Sequence, residues 1–360
     1  MGLSYNDLNL LRFIQKRQRI SLPRAAAQLG KNETSIRRTV EQINLYSDRP
    51  MIEIRKNYCI SHISYSELID FVGRISMSDY ASSCPERIRV MIVTMFFHGY
   101  VNASSLYESW GLSLTTKKQD TAQLRQLLAD HGLKLVILKK KGLAIEGDEL
   151  QLRFLVINIL HPLLEFTAEN RMEARLANTP LERQAYDLAG GSLALVCEEA
   201  VRQLNRFLTE HQLSLNYPSK KFLLLFICLM EIRPPHEGMN FSYRLPLSPL
   251  SIHFTDEPRL NRLYSVAISM MNFSQNLDFP LDRQLWHITE RFTEQVVATL
   301  PNPFFIQEEF LRELYCYFYR EIMLDHFHCT FVDKTVENTR EEFSELYETI
   351  QRYSLLFRAS

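Results

Sequence analysis

The strongest constraint in this 360-residue chain is a duplication near its start. The segment ISLPRAAAQLG (20–30) aligns with VNASSLYESWG (101–111) at a constant offset of 81, pairing Ile20 with Val101, Ser21 with Asn102, Leu29 with Trp110 and Gly30 with Gly111. A repeated supersecondary unit restricts the fold far more than either copy does alone. Around the first copy, Leu8, Leu11 and Ile14 recur at helical spacing. A second helix follows with Ser21 as cap, Pro23 in its first turn and Gly30 at its end. Asn32 then caps ETSIRRTVEQIN, whose Ile36, Val40 and Ile43 form one apolar stripe. At about 100° per residue, Thr34, Arg37, Arg38 and Glu41 fall on the opposite, solvent-facing side. MIEIR, a Lys56-Asn57 turn and YCI read as a two-stranded ribbon. Three short helices followed by a hairpin describe a winged helix-turn-helix.

The second copy keeps that order. CPERIRVMIVTMFFHG supplies its first helix, SLTTKKQDTAQLRQLLADHG its third, and LKLVILKKKGLAIEG a longer hairpin. In alignment the stripe Ile36, Val40, Ile43 becomes Lys117, Thr121 and Leu124. Two of three apolar anchors turn polar, so the second recognition helix must pack differently, or less tightly.

These copies resemble the paired winged helices of bacterial regulators of the BglG/LicR/Mga type. That family carries Ser-x-x-Thr-x-x-x-Asp at the start of the second recognition helix, present here as Ser113, Thr116 and Asp120. It also ends the second wing in a run matched by Gly142, Ile145, Gly147, Asp148, Glu149 and Arg153 of GLAIEGDELQLR. The resemblance implies two all-helical units after the heads, similar to the phosphotransferase-regulation domains (PRDs) of those proteins. The expected division is residues 1–63 and 84–150 for the winged units, 64–83 for a linker, and 151–254 and 255–360 for the PRD-like units.

The body fits helices. LRFLVINILHPLLEF should continue as one helix from the second head. Leu193, Cys197, Ala200, Leu204 and Phe207 share a face, and SKKFLLLFICLMEI is apolar enough for a buried helix stopped at Pro234-Pro235. RLPLSPLSIHFTDEP suggests a loop and a domain boundary near 245–258. FFIQEEFLRELYCYFYREIML is apolar around most of its circumference, which suits burial or a dimer interface. The family's regulatory histidine does not carry over. Counting back from Gly238 lands on Ile227, and FLRELYCYFYREIML holds no histidine.

Charge separates head from body. Residues 1–60 carry 11 Lys+Arg against 5 Asp+Glu, 61–150 carry 10 of each, and 151–360 carry 20 against 27. A basic head on an acidic body suits a polyanion at the head. The candidate DNA contacts are Asn32, Glu33, Thr34, Ser35, Arg37 and Arg38 on the first recognition helix and Arg55 and Lys56 on its wing. In the second copy they are Ser113, Thr115, Thr116, Lys118 and the wing lysines Lys139, Lys140 and Lys141. Arginine can grip guanine edges, hydroxyls can reach bases or phosphates, and wing cations suit phosphates. The same residues would also make an ordinary solvated surface. The expectation is that the first helix reads bases and the second supplies mainly backbone affinity.

Other functions find little in the sequence. No apolar stretch reaches the ~18–20 residues of a membrane span, and MGLSYNDLNLLRFIQKR lacks the order of a secretory signal. Six scattered cysteines without CxxC suit a reducing cytoplasm rather than disulfides or zinc. Among ten histidines, His326 and His328 are the closest pair, without an accompanying ligand cluster. GxSxG, GxGxxG and P-loop strings are missing. The expectation is a mainly α, cytoplasmic DNA-binding transcription regulator. It binds double-stranded DNA and dimerises through its body, has no catalytic residue, cofactor or metal, and takes an unidentified protein or small-molecule effector. Two alternatives stay open: an interaction adaptor with degenerate winged helices, and an RNA-binding antiterminator.

Overall fold

A computed structural model describes residues 2–167, 169–175, 179–236, 239–241, 244–273, 277, 279–300, 305–329 and 344–353. The described chain is mostly helical and divides into two compact units. The first is Met1–Glu146 with Ile159–Leu195; the second is Gly147–Asn158 with Val196–Ser360. Two helices, Glu149–Leu160 and Pro180–Glu210, each give residues to both units.

In the first unit, β1 (Leu3–Ser4) leads into α1 (Tyr5–Arg17) through a capping box in which Ser4 and Asp7 serve each other's backbone. Next come β2 (Arg19–Ser21), α2 (Leu22–Gln28), α3 (Glu33–Asn44), β3 (Ile52–Arg55) and β4 (Tyr58–Ser61). Ile36, Val40 and Ile43 of α3 are buried against Leu8, Leu11 and Ile14 of α1 in one core. The expected two-stranded ribbon is a three-stranded sheet of order β2-β4-β3. Arg19–Ser21 pairs antiparallel with Tyr58–Ile60, and Arg19 lies over the Tyr58 ring at 4.3 Å. A three-residue strand is too short to show a period-2 pattern.

The 64–83 segment is not a free tether. Ser64 and Glu67 form a capping box for α4 (Tyr65–Arg74), which buries Leu68, Phe71 and Val72 in the same core. Then β5 (Tyr80–Ala81) pairs in parallel with β1.

The second copy comprises α5 (Cys84–His98), α6 (Ala103–Ser109), α7 (Leu114–Asp130) and the hairpin β6 (Lys134–Leu138) and β7 (Gly142–Glu146). Gly142 has φ +140°, and a Cβ there would run into the Val101 carbonyl, with which Leu143 N–H bonds at 2.9 Å. Glycine is therefore needed where the wing closes on the turn before α6. The expected long helix after the wing ends early. α8 (Glu149–Leu160) stops before Pro162, and β8 (Leu164–Phe166) turns back on β9 (Met172–Ala174). Pro162 has no N–H to continue the ladder, and the residue before it disfavours helix.

α9 (Pro180–Glu210) and α10 (Tyr217–Ile232) follow, then α11 (Pro258–Ser269), α12 (Arg283–Ala298), α13 (Glu308–His326) and α14 (Ser344–Tyr353). In the second unit Phe154 of α8 meets Phe222 and Phe226 of α10 and Phe327 at centroid distances of 5.8, 5.5 and 4.6 Å. Such ring pairs add about 0.5–1.5 kcal/mol each beyond burial. The 245–258 segment lacks regular structure but is pinned along α11. Leu250 N–H donates to Ser269 Oγ, and Phe254 and Thr255 N–H donate to Asn261 Oδ1. It is a packed loop. α13 buries one stripe, Tyr315, Tyr319 and Met323, while Phe310 and Tyr317 are exposed. Its aromatic residues thus occupy both a buried and an exposed face, so the helix is not buried around its whole circumference. Gly238, and the ends of the last predicted helix before 344 and after 353, lie outside the described residues.

Candidate nucleic-acid interface

Each copy presents a polar helix start and a cationic hairpin. In the first, Asn32 Oδ1 accepts from Ser35 N–H at 2.7 Å and fixes the first turn of α3, so Asn32 is engaged as a cap. Glu33 sits in that turn, where its charge complements the helix dipole. Thr34, Ser35, Arg37 and Arg38 are exposed, opposite the buried stripe. Arg37 reaches across to the wing, donating to Asn57 Oδ1 at 3.1 Å. Lys56 and Asn57 form a tight turn with both φ values positive, 46° and 65°, which suits a two-residue hairpin. Arg55 and Lys56 are exposed on it.

In the second copy, Ser113 Oγ accepts from Thr116 N–H at 3.1 Å and caps α7. Thr115 and Lys118 are exposed, Thr116 is half-buried, and Lys117 is tied to Ser104 of α6 at 3.0 Å. Lys139, Lys140 and Lys141 occupy the exposed hairpin turn, with Lys140 at φ 64° and Lys141 5.8 Å from the Tyr100 ring centroid. The structure thus joins Arg37 to the first wing turn, whereas the two sets of candidate residues remain on separate copies.

What holds α7 differs from what the alignment implies. Its buried positions are Asp120, Leu124 and Leu128, displaced from Lys117, Thr121 and Leu124. Arg87 of α5 grips Asp120 with both edges of its guanidinium, Nε to Oδ2 at 2.6 Å and Nη2 to Oδ1 at 3.1 Å. Tyr107 of α6 donates to the same carboxylate at 2.6 Å. One buried carboxylate therefore ties all three helices together. Burial alone would raise the Asp120 carboxyl; hydrogen bonds, from Arg87 first and then Cys84 and Tyr107, reverse this and hold it below its ordinary value. The Tyr107 hydroxyl is pushed up by burial and by the carboxylate it serves. Sequence reading reached Asp120 only through the family pattern and missed Arg87 and Tyr107. The helix CPERIRVMIVTMFFH offers two arginines, Arg87 and Arg89, and the sequence does not tell the buried one from the exposed one.

The end of the GLAIEGDELQLR run is also structural. Asp148 Oδ1 accepts from Leu150 and Gln151 N–H at the start of α8. Glu149 binds Arg153 at 2.7 Å and Arg233 at 2.5 Å. Arg153 is fully buried, and burial lowers its pKa against the opposing effect of Glu149.

With this geometry in place, residues 84–159 match the family described as the Mga helix-turn-helix domain. The match covers α5 through α8 nearly to its end, beyond the expected limit at 150. This segment is therefore similar to a helix-turn-helix domain of Mga type. No curated protein matches the chain. Among the described residues, no helix is long and apolar enough to cross a membrane.

Proposed function

We propose that this chain is a sequence-specific DNA-binding transcription regulator, related to the BglG/LicR/Mga type, with a winged helix-turn-helix in each copy of its repeat. The observation that carries the reading is the Mga-type match over a segment that holds both a capped, polar helix start and a three-lysine hairpin. The first copy supports it with Arg37 and Arg38 beside Arg55 and Lys56. The helices of the second unit form a PRD-like body that dimerises, and the protein works in the cytoplasm without catalysis, cofactor or metal. The mechanism is electrostatic capture followed by groove readout: wing cations hold phosphates while the helix starts meet base edges.

The test is fluorescence anisotropy with promoter fragments and with RNA hairpins at ~50–200 mM salt. The expected result is DNA binding whose log affinity falls linearly with log salt, and no retention of RNA. Failure to bind any DNA at the lowest salt would overturn the reading in favour of an adaptor. Preference for RNA would favour antitermination.

A further inference from the structure

A cavity of about 540 Å³ opens in the second unit. One wall is the first two turns of α11, which supply Arg259, Arg262 and Leu263; the facing wall supplies His236, Met239 and Phe241. The side chains fall into two kinds. Met239, Phe241 and Leu263 make an apolar wall, whereas Arg259, Arg262 and His236 are donors suited to an oxyanion.

Three further observations give the cavity its sign. The N-cap of α11 is Glu257, which makes no side-chain cap bond, and Pro258 follows, so the first-turn N–H groups of Arg259 and Leu260 lack a capping partner. Behind the apolar wall, the fully buried Arg153 lies over the Phe241 ring at 5.8 Å, and its Nε has no hydrogen-bond partner. Arg233 stands beside it, the two guanidinium groups sharing the single carboxylate of Glu149. Among the described lining residues, Arg259 and Arg262 stand with the single carboxylate of Glu257, while Arg153 and Arg233 lie behind Phe241 with Glu149 and Asp148. A concave, partly apolar site lined by two guanidinium groups draws an anion inward.

We propose that this cavity binds a small amphiphilic oxyanion: a carboxylate or phosphate monoester carrying an apolar ring or branched chain. The oxyanion sits between Arg259, Arg262 and the α11 N-terminus, and the apolar part lies on Phe241, Met239 and Leu263. Occupancy bears on α8, because Glu149 N–H donates to Asn240 O at 2.8 Å, next to Phe241. α8 starts three residues after Glu146, where the second wing hairpin ends. A ligand here would therefore act as the effector of the regulator. That role rests on the DNA-binding reading; the binding itself does not, and is measured without DNA.

The experiment uses the full chain and four probes: phenyl phosphate, phenylacetate, inorganic phosphate and benzyl alcohol. Thermal unfolding followed through Trp286 fluorescence, in a Trp110→Phe background, reports the second unit. At ten times Kd, a bound probe should raise the melting temperature by about 3–6 °C. The expected result is a rise with at least one of the two aromatic anions, larger than with inorganic phosphate and missing with benzyl alcohol. Preference between phenyl phosphate and phenylacetate assigns the anion class. Arg259→Gln and Arg262→Gln, both at exposed positions, should each weaken binding about tenfold, with far-UV circular dichroism verifying the fold. No shift with either aromatic anion, or an equal shift in the double Arg259→Gln/Arg262→Gln variant, would overturn the proposal.

Discussion

Replacing Asp120 by alanine should unfold the first unit far more easily than its place on a surface-bound helix suggests. The Arg87 and Asp120 side chains are only 8% and 2% exposed. Removing the carboxylate strands a buried guanidinium and leaves the Tyr107 hydroxyl without its acceptor. Breaking a buried pair from one side costs about 3–5 kcal/mol. With a urea slope of about 2 kcal/mol/M, the midpoint should fall by roughly 1.5–2.5 M. The chain has two tryptophans, and Trp110 lies in the first unit with its N–H donating to Gln184 Oε1 at 2.9 Å. In a Trp286→Phe background, Trp110 fluorescence therefore reports that unit alone. The double variant Arg87→Met/Asp120→Leu should recover most of the loss, because replacing both partners by apolar groups is often neutral. A fall below about 0.5 M for Asp120→Ala, or no recovery in the double variant, would refute the reasoning that this carboxylate ties α5, α6 and α7 together.

Three further outcomes follow from the same structure. Because the folded Asp120 carboxyl lies below its ordinary value of 3.8, its contribution is present above that pH and is lost as pH falls through the lower folded value; Asp120→Asn should flatten the acid limb of stability measured by circular dichroism. Gly142→Ala should cost more than Gly111→Ala. Both backbones are left-handed, worth about 1–2 kcal/mol, but only at Gly142 would the added Cβ meet backbone, a difference urea melts would resolve. Arg38→Ala should weaken a selected DNA site by roughly 1–3 kcal/mol if it reads a base edge; Lys140→Ala should lower affinity evenly and reduce the salt slope by about one.

The third helix of each copy was legible because a cap marks its start, Asn32 for α3 and Ser113 for α7, and α3 adds an apolar stripe. The first wing turn was legible because Lys56-Asn57 interrupts two apolar runs, and Asn readily accepts the positive φ found there. The α7 packing was not. Alignment transfers positions, but a polar residue at a buried position depends on a partner on another helix, here Arg87, which spacing cannot reveal. The β8–β9 hairpin was missed because LEF reads as easily as helix, and its pairing partner lies within a polar segment. Among the candidate contacts, exposure and hairpin placement were readable from residue type. The bond from Arg37 to Asn57 was not, since it depends on the turn of one element toward another.

The joint between the copies leads to the last prediction. A tether of 20 polar residues would let the two recognition helices move independently, whereas this segment is built into the fold of the first unit. Ser64 and Glu67 start α4, Arg183 donates to the carbonyls of Gly73 and Ile75, and β5 pairs with β1 beside the chain's start. Tyr80 donates to the buried Glu86 carboxylate, which also accepts from Ser83 N–H and from Thr179 Oγ1 at 3.2 Å. Proteolysis requires a segment to open over several residues, and here opening would break the shared core of Leu68, Phe71, Val72 and Tyr80. Trypsin should therefore spare the bond after Arg74, exposed as that residue is, until the first unit unfolds as a whole. Mass spectrometry of the earliest fragments would show it. Cleavage after Arg74 under native conditions, with both copies surviving as separate folded pieces, would mean that the joint is a flexible linker after all.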